Sequence, residues 1–68
     1  MYVISQQEVI SMALKTAYEN EKSIALKYQE LSTTITDPTI QQHLKSLEQT
    51  ARNHINLIIQ QLTRLNIQ

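Results

Sequence analysis

Apolar side chains recur along this chain in steps that alternate between four and three residues. One run reads Ile10, Leu14, Ala17, Glu21, Ile24, Tyr28, Leu31 and Ile35. A second reads Ile40, Leu44, Leu47, Ala51, His54, Ile58, then Gln61 or Leu62, and Leu65. Such steps hold one stripe on one side of a helix and indicate left-handed, bundle-type packing. Each stripe carries one ionisable residue in mid-run, Glu21 in the first and His54 in the second.

The two runs are separated by Ser32-Thr33-Thr34-Ile35-Thr36-Asp37-Pro38. Hydroxyl side chains compete for backbone partners, and a residue before proline is pushed out of the helical region. Asp37 then fits an N-cap, with Pro38 at the first helical position. Upstream, Ser5-Gln6-Gln7-Glu8 fits a capping box. These signals predict a helix over 6–34, a turn at 35–37 and a helix over 38–66, each about 40 Å long. Matched lengths and a short turn make an all-α, antiparallel helical hairpin, a single domain over 1–68.

Folding the hairpin at Ile35 and Ile40 sets Leu31 opposite Leu44, Tyr28 opposite Leu47, Ile24 opposite Ala51 and Ala17 opposite Ile58. The same register sets Glu21 opposite His54. Leu26, Ile55, Leu57, Ile59 and Met12 lie off this narrow seam. The apolar stripe is therefore wider than two helices can cover, and burying it calls for a second surface. A twofold homodimer forming a four-helix bundle is the simplest expectation, with a higher homo-oligomer behind it.

Composition narrows the function. The chain has 68 residues, no Cys, no Gly and one Pro. That excludes disulfides, thiolate metal sites, thiol nucleophiles and Gly-rich phosphate loops. Six basic and six acidic residues leave no net charge, so no footprint for nucleic acid or an anionic membrane is expected. No apolar run approaches the roughly 18 residues of a membrane span, and no leader pattern is visible. A cytoplasmic location is the expectation.

Two residues stand out chemically. A carboxylate on an apolar stripe is costly unless paired, ligated or protonated. Glu21 could therefore bond His54 or water, or ligate a metal. In a twofold dimer, two Glu21 and two His54 would offer four N and O ligands suited to Zn or Fe. Tyr28, one heptad from Glu21, reads as core packing or as a hydrogen-bond partner of Glu21 or of a bound metal. No His is set beside a hydroxyl and an acid, so hydrolase chemistry has no support. No catalytic residue is assigned.

The stretch from Glu21 to Tyr28, together with Asp37 through His54, resembles the ferritin-like superfamily. The likeness is greatest to its short two-helix members, the encapsulated ferritins, with the rubrerythrins as longer relatives. Those families place a metal-binding Glu seven residues before a Tyr, and a Glu-x-x-His pair on the next helix. The resemblance implies a ferritin-like four-helix bundle with Glu21 and His54 as metal ligands and Tyr28 beside them. It departs at Ala51-Arg52-Asn53-His54, where Ala51 replaces the bridging Glu. Iron oxidation is accordingly not expected. The turn also looks somewhat like that of the spore coat protein F family, a ferritin-like group without an evident metal role. Two function classes follow. One is a ferritin-like structural or interaction protein with a degenerate site. The other is a metal-binding protein that holds Fe or Zn between chains. A regulator that docks a helical partner on the apolar stripe is a third.

Overall fold

The computed structural model describes residues 4–67 and contains two helices, α1 over Gln6–Thr34 and α2 over Pro38–Arg64. They pack as an antiparallel hairpin; among the described residues there is no strand.

Each helix begins at the cap expected of it. The Ser5 hydroxyl accepts from the Glu8 backbone N–H at 3.1 Å. Asp37 Oδ1 accepts from two, Thr39 at 2.9 Å and Ile40 at 3.0 Å. Both caps are extended, so their side chains lie across the first turn.

The turn is secured from its far side as well. The Ser32, Thr33 and Thr34 hydroxyls all donate back to carbonyls of the last turn of α1, those of Gln29 and Glu30. This is the competition that weakens a helix end. Gln41 then reaches back from α2, its Nε2 donating to the Ser32 carbonyl at 2.9 Å and the Ile35 carbonyl at 3.2 Å. It satisfies acceptors that the end of α1 would leave open.

α2 stops at Arg64, two residues short of the reading from sequence. Asn66 takes the left-handed conformation at φ 58°. The Ile67 N–H bonds the Leu62 carbonyl at 2.8 Å and the Asn66 N–H bonds the Thr63 carbonyl at 3.0 Å. That pair is a Schellman closure, with Asn in the place glycine usually takes.

The contact between the helices is rotated from the expected one. The covered positions of α1 and its C-cap run Ile10, Ser11, Leu14, Ala17, Tyr18, Glu21, Ala25, Tyr28, Ser32 and Ile35; those of α2 and its C-cap run Gln41, Leu44, Glu48, Ala51, Arg52, Ile55, Ile58, Leu62 and Leu65. Four residues expected in the seam stay outside it: Ile24 is 42% exposed, Leu31 37%, Ile40 45% and Leu47 46%. The three most buried residues are Ala25, Ala51 and Ser32. Small side chains let two helix axes approach closely, and the bulkier ones turn to the flank. Toward the turn the contact is thus shifted by about 50°, half the angle between successive residues, while Ile10 and Ala17 stay half-buried as expected.

The rotation creates two unlike broad faces. His54 and Arg52 flank the contact stripe of α2 on opposite sides, and each reaches α1: His54 to Glu21, Arg52 to Gln29. Helical geometry places Ile10, Ala17, Ile24 and Leu31 of α1 on the His54 side, with Ile40, Leu47 and Gln61 of α2. None of the six Lys or Arg and six Asp or Glu residues occupies that stripe. The stripe flanking the contact on the Arg52 side carries Lys15, Lys22, Lys45 and Arg52, four of the six basic residues. Lys22 also lies over the Tyr18 ring there, 6.0 Å from its centroid.

Two substitutions test the caps. Ser5→Ala should cost about 1 kcal/mol in a urea melt. Asp37→Ala should cost more, because two N–H groups lose their acceptor rather than one. Equal losses would contradict the double cap. Gln41→Glu, which keeps the length of the side chain but removes its donors, should destabilise by about 1–3 kcal/mol; a neutral result would mean the turn does not need the clamp.

Candidate functional site

Glu21 sits near the middle of α1, and its side chain is 24% exposed. His54 lies opposite on α2, 51% exposed, with its Nδ1 3.2 Å from Glu21 Oε1. The register read from the apolar pattern thus brings these two residues together. They meet at the border of the contact stripe rather than inside it, open to solvent on the His54 face. An ion pair this exposed contributes at most about 1 kcal/mol. A neutral imidazole that donates from Nδ1 to the carboxylate keeps Nε2 as a free acceptor pointing away from Glu21.

The neighbouring groups do not extend the pair. Tyr28 is half-buried in the helix contact. It lies two turns from Glu21, about 10 Å along the axis, and among the described residues no hydrogen bond joins it to Glu21 or His54. Glu48 is held on the other side, where its Oε2 accepts from Arg52 Nε at 2.8 Å. Arg52 continues to Gln29 Oε1 at 3.3 Å. This cross-helix bridge was not singled out from sequence, and only the turn-by-turn placement of Arg52 away from His54 hints at it. Ala51, where the resemblance would require Glu, is 3% exposed and packed between the helices.

Among the described residues, no three His, Cys, Asp or Glu side chains converge. One chain therefore offers Glu21 and His54, two ligands where a protein-bound Zn²⁺ takes three or four. The residues do not fit a metal within a single hairpin. Two shallow depressions on the surface lie elsewhere. One, at the open end of the hairpin, is lined by Gln7, Glu8, Ser11, Met12 and Ile67. The other is on α2, lined by His43, Ser46, Leu47 and Thr50. Among the described residues no helix is long and apolar enough to cross a membrane.

The fold and the site define a class: a two-helix hairpin, polar at one mid-height pair and apolar on the same face. No protein-family model, curated protein or solved structure matches the chain.

The buried alanine provides the test of this geometry. Ala51→Glu places a carboxylate in the helix contact and should destabilise by about 3–5 kcal/mol, as an unpaired buried charge does. Ala51→Ser, close in volume and able to bond its own helix, should cost far less. A well-tolerated Glu would mean that position 51 is not enclosed by α1.

Proposed function

We propose that the chain is a ferritin-like helical-bundle protein with a degenerate metal site and a structural or interaction role, built from two or more copies. The observation that carries this reading is the missing core. No large side chain is fully buried, and only Ala25, Ala51 and Ser32 are buried at all among the described residues. The chain exposes 5340 Å², against about 4,400 Å² expected for a folded monomer of 7.9 kDa. Its radius of gyration is 15.8 Å, against about 11 Å for a compact domain of this length. A hairpin of this shape lacks the second layer that a stable domain needs.

Likeness to the ferritin-like proteins rests on Glu21, Tyr28 and His54 and on the length of both helices. Degeneracy rests on Ala51, which stands between the helices where the resemblance would require Glu.

The Glu21–His54 contact favours a second reading, Fe or Zn held between two chains. Both residues lie near mid-height of the hairpin, so a twofold axis through the centre of the His54 face would gather two such pairs in one layer. Two Glu21 and two His54 would then complete a four-ligand set.

Sedimentation at micromolar concentration tests the principal reading, which expects a mass of at least twice 7.9 kDa. A helical particle of single-chain mass would overturn it. Melting the protein with Zn²⁺ or Fe²⁺ separates the two readings. A degenerate site expects no shift. A metal held at a hundredfold excess over its Kd stabilises by about 2.7 kcal/mol. A rise in Tm that disappears in both Glu21→Gln and His54→Asn would establish the metal-binding reading instead.

A further inference from the structure

We infer that the His54 face, and not the Arg52 face, is the surface on which a second copy of this chain docks. The inference rests on the proposed self-association and assigns it to one side of the hairpin.

Charge separates the two faces. A twofold contact lays a surface against itself, residue i meeting j and j meeting i, so a face that carries mostly one sign of charge meets that sign. The Arg52 face carries Lys15, Lys22, Lys45 and Arg52 against one acid on the same stripe, Glu8; with Arg52 already paired to Glu48, three lysines of one copy would still face the three of the other. The flanking stripe of the His54 face has no Lys, Arg, Asp or Glu. Its ionisable members, His54 and the adjoining Glu21, already contact each other. Lys27 and Arg64 fall at its outer edge, where they can stay in water.

Area agrees with one such contact. The hairpin exposes 5340 Å², about 900 Å² more than a compact monomer of its mass, and a standard interface covers about 800 Å² on each partner. The exposed apolar side chains on this face come from both helices, Ile24 and Leu31 from α1, Ile40 and Leu47 from α2. One partner surface would cover all four.

Shape is compatible with a helical partner. The depression lined by His43, Ser46, Leu47 and Thr50 is formed by residues spaced i, i+3, i+4 and i+7 on α2. That is the four-residue hole into which a side chain of a facing helix inserts. It opens beside Leu47 on the uncharged side.

Single cysteines test the assignment cleanly, because the chain has none of its own. Leu47 on the His54 face is 46% exposed and Ile59 on the Arg52 face is 44% exposed. In a lone hairpin Leu47→Cys and Ile59→Cys should therefore react with a thiol reagent at similar rates. In the assembled particle Leu47→Cys should react at least tenfold more slowly, and Ile59→Cys at the rate of a free thiol. Leu47→Glu should also reduce the sedimentation mass to that of one chain, while Leu26→Glu and Ile59→Glu, on the other face, leave it unchanged. Equal reactivity in a particle of dimer mass overturns the assignment of the face and leaves self-association standing. So does protection of Ile59→Cys instead. Protection of both in a larger particle overturns the twofold contact in favour of head-to-tail packing. A parent chain that sediments at single-chain mass overturns self-association itself, and this inference with it.

Discussion

A slab 14 Å thick, 25 Å wide and 55 Å long is one helix deep, since a helix with its side chains measures about 10–12 Å across. A layer of that depth has two surfaces and no interior. Side chains in it can be covered by the neighbouring helix along one edge only. The alanines at the contact, the leucines and isoleucines left at the flank, and the surplus of exposed area all follow from this one dimension. The same limit governs Glu21 and His54. Their partnership is complete within one chain, yet one side of it remains open.

The most enclosed positions of the helix contact are held by small residues. Ala25 and Ser32 are buried although larger apolar residues, Ile24, Leu26 and Leu31, stand one position away, and Ala51 is buried opposite them. Hydrophobic burial is proportional to the area removed from water, so leaving Ile24, Leu31, Ile40 and Leu47 outside sacrifices burial inside the hairpin. The arrangement makes sense where those four residues have another surface to cover them. Glu48 and Gln41 occupy contact positions as well, and each spends its polar group within the hairpin, on Arg52 and on the end of α1.

Much of this architecture was legible from the chain. Capping residues act locally, so Ser5, Asp37 and Pro38 marked both helix starts to the residue. Antiparallel pairing follows from the short turn, and the layer shared by Glu21 and His54 followed from register alone. The azimuth of the contact did not. Counting large apolar residues finds the stripe that most needs cover, whereas near the turn the helices meet at Ala25, Ser32 and Ala51, half a residue step away. Gln41 was unreadable for a related reason. Its role depends on where the end of α1 comes to lie, nine residues earlier in the chain, and an isolated glutamine carries no sign of it. The end of α2 was overrun because Asn66 signals a left-handed closure only weakly, where a glycine would have signalled it strongly.

Pro38 has a consequence for how two chains can meet. Proline has no N–H to donate and disfavours the helical region for the residue before it, so running α1 on through Asp37 into α2 as a single rod is costly. Exchange of halves by straightening at the turn would carry a cost of about 3 kcal/mol or more per chain. The turn therefore keeps both halves of one chain side by side, and a contact with another chain adds a second layer without redrawing the first.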